Sequence, residues 1–232
     1  MKEFLFGLLM IVVYFAPCAL IALLSRKFFK IPDEIFRKIL HFILLGSIFV
    51  FTFAYKTWWI SSITCIIFII VVYPILKLCE RFKQYSYIVT ERKKGELKNS
   101  LIYVFLMFSL VILVCWGIFN DKYLVLLSIF AWGFGDALAA LIGTKFGKHK
   151  LYKKKSYEGT IAMFVTSFIS VFTILLFRGV IPWYFNLIVA FVTALVATTV
   201  ELFTPNGLDT ATCPIASMLS TLLMLFIFGG LL

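Results

Sequence analysis

Asp136 stands alone in an apolar stretch, Ala131-Trp-Gly-Phe-Gly-Asp136-Ala-Leu-Ala-Ala-Leu-Ile-Gly143, seven residues before the glycine that ends it. At 1.5 Å per helical residue that is roughly 10 Å inside the segment. A carboxylate at that depth of a bilayer costs at least ~2.5 kcal/mol on insertion scales unless it meets a partner, a cation or water. Three chemistries fit: an internal ion pair, proton or ion coupling, and ligation of a divalent cation that holds a nucleotide phosphate. Gly133 and Gly135 before the acid, and Ala137, Ala139 and Ala140 after it, leave room for close approach by backbone or ligand.

A second group follows at once. Gly143-Thr-Lys-Phe-Gly147-Lys148 places two glycines at i, i+4. They make either a small-residue packing face or a helix end at Gly147 whose N–H groups face phosphate. The G-K-[ST] triplet of a P-loop is absent. In Lys153-Lys-Lys155-Ser156-Tyr-Glu158-Gly159, Ser156 suits a helix N-cap and Glu158 suits the first turn. The three lysines against a helix N-terminus make an anion site, with Lys155 nearest the ligand. Glu201 and Asp209 flank the turn Thr204-Pro-Asn-Gly207. Together with Asp136 they would hold one or two Mg²⁺ ions, or another divalent cation, with phosphates completing the shell. The plainer alternative makes Asp209 the cap of the last helix, with Pro214 near its start. Arg37 and His41, also i, i+4, share one helix face and offer a phosphate contact and a proton acceptor. The charged run Glu91–Glu96 reads as a solvated loop.

The elements that must position these groups are membrane spans. The chain is 62% hydrophobic and only 14% charged, with a mean hydropathy of +1.04, far from a soluble domain. Runs of roughly 17–25 apolar residues fall at about 4–24, 38–54, 58–79, 100–119, 122–143, 159–177, 183–203 and 214–231. The expectation is an all-α polytopic bundle of about eight transmembrane helices, one membrane domain over 1–232, with the first span retained rather than cleaved. Of the 22 Lys and Arg residues, all but Lys2, Lys56, Lys122 and Arg178 cluster on alternate loops. The positive-inside rule then puts loops at about 25–37, 80–99, 144–158 and 204–213 in the cytoplasm and both termini outside. Trp58, Trp59 and Trp183 fall at outer ends, as an aromatic belt would place them, and Pro17 and Pro74 fall inside spans. The net charge of +11 is spread over short loops, which points to anionic lipid and nucleotide phosphate and not to nucleic acid. The five cysteines lack C-x-x-C spacing and read as small core residues.

G-D-A-x-A-x-x-x-G-x-x-x-G-K from Gly135, followed by K-S-x-E-G from Lys155, resembles the CTP-dependent lipid-alcohol kinases: dolichol kinase, phytol kinase and the CTP-dependent diacylglycerol kinase. Arg37-Lys38-x-x-His41, Gly95-Glu96 and the late Glu201, Asp209 and Pro214 are similar to the phytol kinase branch. That branch tends to carry Asn shortly after the late Asp, where this chain reads Thr-Ala-Thr-Cys. The resemblance implies transfer of the γ-phosphate of CTP to the hydroxyl of a membrane lipid, either an isoprenoid alcohol (phytol, polyprenol or dolichol) or diacylglycerol, with a divalent cation. It implies that Asp136, Lys155, Ser156, Glu158 and Gly159 belong to the nucleotide site, to which the glycine segment adds Gly143, Gly147 and Lys148 as candidate phosphate contacts. The host membrane is expected to be a prokaryotic plasma membrane rather than the endoplasmic reticulum. Phosphatidate cytidylyltransferase shares related elements, but its C-terminal K-D-x(5)-P-G-H-G-G block is missing here. CDP-lipid synthesis is the first alternative, and a transporter coupled through Asp136 and Glu201 is the second.

Overall fold

The computed structural model describes residues 2–81, 95–153, 155–205 and 207–231. Lys83, Glu91, Arg92, Lys93, Lys94, Lys154, Asn206 and the side chain of Glu96 lie outside the described residues.

Eight helices among the described residues are long and apolar enough to cross a bilayer, as the hydropathy runs require. They are α1 (Lys2–Phe28), α2 (Asp33–Phe53), α3 (Trp58–Cys79), α4 (Glu96–Val111), α5 (Lys122–Phe146), α6 (Tyr157–Arg178), α7 (Trp183–Phe203) and α8 (Asp209–Ile227). α4 runs on as a π-helical segment, Ile112–Ile118. Its wider turn ends where Asp121 N–H reaches Cys115 O at 3.0 Å, the kind of single-turn insertion that π geometry usually makes.

Two helix starts differ from the hydropathy reading. α2 begins at Asp33, not near 38, because Pro32 presets the entry and Asp33 and Glu34 suit the positive end of the helix. Arg26 of α1 pairs with Asp33 there. α8 begins at Asp209, which puts Pro214 inside the helix, where it donates no N–H to the ladder. Hydropathy sees the apolar segment and overlooks the polar first turn that caps it.

The helices pack as two compact units, residues 1–113 and 114–232. In the first, Glu3 Oε1 accepts the N–H groups of Lys56 and Thr57, both at 2.8 Å, tying the start of α1 to the turn before α3. Ser62 of α3 meets Ser109 of α4 at 2.7 Å, and Lys98 pairs with Glu80 at 2.8 Å.

In the second unit α5 packs on α6, α6 on α7, α7 on α8 and α8 back on α5, a closed four-helix bundle. The α5–α6 seam is made of small residues every fourth position: Ala131, Gly135, Ala139, Gly143 and Gly147. Backbones can then approach closely, which in lipid supplies the packing that hydrophobicity cannot. A Cβ on Gly135 would stand 2.4 Å from Met163 Sδ, and Ser167 Oγ donates to Ala131 O at 2.6 Å. Between α5 and α6 the chain makes a short antiparallel hairpin, β1 (Lys150–Tyr152) with β2 (Lys155–Ser156). The far end of this bundle is clamped by Arg178 of α6. Its Nε donates to Asp121 Oδ2 at 2.5 Å and its Nη2 to Gly230 O at 2.6 Å. All five cysteines are free, and Cys65, Cys115 and Cys213 are buried.

Candidate functional site

The hairpin end of the four-helix bundle gathers most of the residues singled out above. Gly147 closes α5, and its N–H stays within the helix on Gly143 O at 3.1 Å. Gly143 then crosses Gly159: a Cβ added at Gly159 would lie 2.9 Å from Ala139 O and 3.4 Å from Gly143 Cα. The glycines at 143 and 159 are therefore a helix crossing, and this close approach holds the α5 terminus against the first turn of α6.

Ser156 is the N-cap of α6, its Oγ accepting Gly159 N–H at 3.1 Å. Tyr157 N–H goes to His149 O at 2.9 Å. Glu158 Oε1 takes Lys148 N–H at 3.2 Å and His149 Nδ1 at 3.1 Å. The Tyr157 and Gly159 amides at this helix start are thus satisfied by the protein itself, and Glu158 serves as the strut between the hairpin and α6. His149 escaped the sequence reading, since only the hairpin brings it back over α6. The ammonium groups of Lys145, Lys148, Lys150 and Lys153 make no ion pair among the described residues.

Lys155 behaves differently from its neighbours. From β2 its Nζ reaches across to Glu201 at the end of α7, 2.8 Å from Oε1, and it also donates to the Glu201 main-chain oxygen. Glu201 is buried. An ammonium paired in a low-dielectric setting is far more firmly fixed than a surface lysine. Asp209, the first residue of α8, folds back on its own turn: its Oδ1 accepts Thr210 N–H at 2.9 Å and Gly207 N–H at 3.2 Å. Leu208, not Asp209, is the N-cap residue of α8, and it makes no side-chain cap. The Asp136 carboxylate stands close enough to Glu201 and Asp209 to repel both, and Lys155 attracts both. Asp136, Lys155, Glu201 and Asp209 therefore form one electrostatic group, drawn from α5, β2, α7 and α8.

Among the described residues no three His, Cys, Asp or Glu side chains form a metal cage. Mg²⁺ needs none. It is commonly held by one or two carboxylates plus substrate phosphates and water. The donor set is all oxygen, which suits a hard cation, and like charges brought together in a membrane helix bundle favour one. With Glu201 engaged by Lys155, Asp136 and Asp209 are the pair with the chemistry for it.

Arg37 and His41 belong to the other unit. Arg37 Nη1 lies 3.2 Å from both carboxylate oxygens of Glu34, and the His41 ring packs edge-on to Phe42 at 6.2 Å. They share a face of α2 as their spacing requires.

The chain is similar to two phytol kinases. It is 34% identical over 94 residues to "Phytol kinase" of Synechocystis sp., covering 39% of each chain. It is 32% identical over 84 residues to "Probable phytol kinase, chloroplastic" of Triticum aestivum, covering 35% of this chain and 27% of that protein. The chain thus spans well under half the length of these relatives, and the resemblance to the lipid-alcohol kinases holds over that stretch. No protein-family profile and no solved structure matches it.

Proposed function

We propose that the chain is a membrane phosphotransferase of the phytol kinase type, moving the γ-phosphate of CTP to the hydroxyl of a membrane lipid alcohol. The observation that carries the reading is the similarity to the two phytol kinases. The site chemistry supports it, because phosphoryl transfer asks a protein mainly for positioning and charge. Lys148 and its neighbours would draw in the triphosphate, and Lys155, fixed by Glu201, would face it at the bundle end. Asp136 and Asp209 would hold a divalent cation, which when bound supplies charge neutralisation on the phosphates. In the transfer, a bond forms between the alcohol oxygen and the γ-phosphorus. The bond from that phosphorus to the β–γ bridging oxygen breaks, CDP leaves, and the alcohol proton passes to Asp136. The basic loops support a cytoplasmic site, and the host membrane we propose is a prokaryotic plasma membrane.

The test is purified protein in lipid nanodiscs with γ-labelled or α-labelled CTP and phytol, a polyprenol or diacylglycerol. Label entering lipid from the γ position alone is the expected result. Label from the α position means cytidylyl transfer, and no label with any alcohol overturns the reading.

A further inference from the structure

The turn between α1 and α2 carries two lysines and two phenylalanines that the fold leaves facing outward. No residue between Glu3 and Arg26 of α1 is charged, and that stretch of helix is roughly 33 Å long at 1.5 Å per residue. It fills the ~30 Å hydrocarbon core by itself. The next residues, Lys27-Phe28-Phe29-Lys30, therefore fall at the level of the lipid headgroups. Phe28 is 73% exposed and Phe29 68%. Lys27 and Lys30 are exposed too, and neither makes an ion pair among the described residues.

The turn is held from the inside by the cation next to them. Arg26 Nη1 donates to Ile31 O at 2.5 Å, and the guanidinium pairs with Asp33 and lies 5.0 Å over the buried Phe36 ring. Phe29 N–H goes to Ser25 O and Ile31 N–H to Phe29 O, both at 2.8 Å. Arg26 is thus spent on the fold, while the lysines on either side of the phenylalanines are not. The other end of α1 shows the contrast. There Glu3 meets the N–H groups of Lys56 and Thr57, so the polar partner comes from the protein itself.

We propose that this turn is a docking site for an anionic phospholipid of the surrounding leaflet. The phosphodiester oxygens accept from the Lys27 and Lys30 ammonium groups, and the Phe28 and Phe29 rings lie against the glycerol and upper acyl chains. Basic and aromatic residues together are what an interfacial segment uses to hold an anionic surface. A choline lipid fits less well, because it sets its own cation beside the phosphate and cancels most of the attraction that a net negative lipid keeps. A dissolved phosphate or nucleotide fits less well again, since it would leave both phenyl rings in water. The site draws on no residue of the α5–α8 bundle and does not depend on the kinase reading.

The test is native mass spectrometry of the full-length protein titrated with dioleoylphosphatidylglycerol or dioleoylphosphatidylcholine, giving a Kd for each. Wild type is expected to bind the glycerol lipid about 25-fold more tightly than the choline lipid, about fivefold for each lysine. Lys27→Gln with Lys30→Gln removes most of that preference and leaves the choline lipid within twofold. Lys27→Arg with Lys30→Arg keeps the charge and the preference. Phe28→Ser with Phe29→Ser weakens both lipids, because the apolar contact is common to them. Thermal unfolding in phosphatidylcholine nanodiscs checks the fold, and the lysine variants, which change only exposed side chains, should match wild type there. Lys77→Gln with Arg81→Gln takes two charges from the end of α3 and should leave the preference intact. An equal loss in that variant would mean general surface charge and would overturn the site. An unchanged glycerol-lipid Kd in the Lys27 and Lys30 glutamine variant overturns it as well. So does displacement of the bound lipid by millimolar inorganic phosphate, which would make the lysine pair a plain anion site.

Discussion

The two ends of the α5–α8 bundle each carry an ion pair between distant helices, and they use it differently. At the far end Arg178 joins Asp121, which caps α5 through Tyr123 N–H at 2.8 Å, and Gly230 beyond the end of α8. One cation there answers one acid, and the pair ties three helix ends together. At the hairpin end Lys155 answers Glu201, but Asp136 and Asp209 add two more carboxylates to the same group. Lys145, Lys148, Lys150 and Lys153, on the α5 end and the hairpin, make no ion pair among the described residues. A balanced pair is a clamp. An unbalanced cluster of both signs carries an electrostatic cost that a proton or a bound cation would relieve.

If that contrast is right, mutations at the two ends separate activity from stability. The largest effect belongs to Asp136→Asn, which keeps shape and removes charge. Phosphate transfer should fall at least ~100-fold, while thermal stability holds or rises as like-charge repulsion is relieved. Turnover at the wild-type rate in purified Asp136→Asn would sink the site. At the other end Arg178→Met leaves the Asp121 carboxylate, 15% exposed, without its cation. Breaking a buried pair from one side costs about 3 kcal/mol. Unfolding by denaturant or heat should report that loss, with turnover per folded molecule unchanged. Adding Asp121→Asn should recover part of it, since the stranded charge is then removed.

What could be read from the sequence follows the same division. The spans were legible because bilayer thickness sets their length, and Asp136 because a charge in such a run has no cheap explanation. The Ser156 cap and the Gly147 helix end follow from local rules and appear as expected. Contacts that depend on register between helices were not legible. Lys155 and Glu201 lie 46 residues apart, and nothing local pairs them, so Lys155 read as a free phosphate ligand. Glu158 read as a dipole partner, whereas the hairpin makes it a strut to Lys148 and His149. Thr198 and Ser217 passed unnoticed because hydroxyls are common in membrane helices. Their hydroxyl oxygens are buried without a hydrogen-bond partner among the described residues.

A smaller effect is expected where the clamp and the cluster overlap, at Lys155. Lys155→Met should raise the CTP KM about tenfold, in keeping with a charge-assisted bond worth ~1.5 kcal/mol. If Glu201 acts by holding that ammonium, Glu201→Gln shifts the same constant, and the double variant is no worse than Lys155→Met alone. A Glu201→Gln variant whose defect appears instead in the Mg²⁺ concentration required would make Glu201 a cation ligand.

The smallest effect is expected at Ser156, and it separates holding from binding at a single atom. Its Oγ caps Gly159 N–H and also lies near Gly147, where an added Cβ would stand 2.7 Å from it. As a cap alone, Ser156→Ala costs about 1 kcal/mol of stability, and Ser156→Asp, which caps equally well, restores it. The CTP KM should then follow the cap, normal in Ser156→Asp and at most about twofold raised in Ser156→Ala. A hydroxyl that touches phosphate behaves oppositely. Ser156→Asp would bring a carboxylate against the triphosphate, restoring the fold while weakening CTP by far more than Ser156→Ala does. The sign of that difference decides whether the hairpin end of α6 closes the structure or opens it to a nucleotide. The amides already filled by Ser156, Glu158 and His149 favour closure, and under the kinase proposal the lysine side chains and the Asp136–Asp209 pair would then meet the nucleotide.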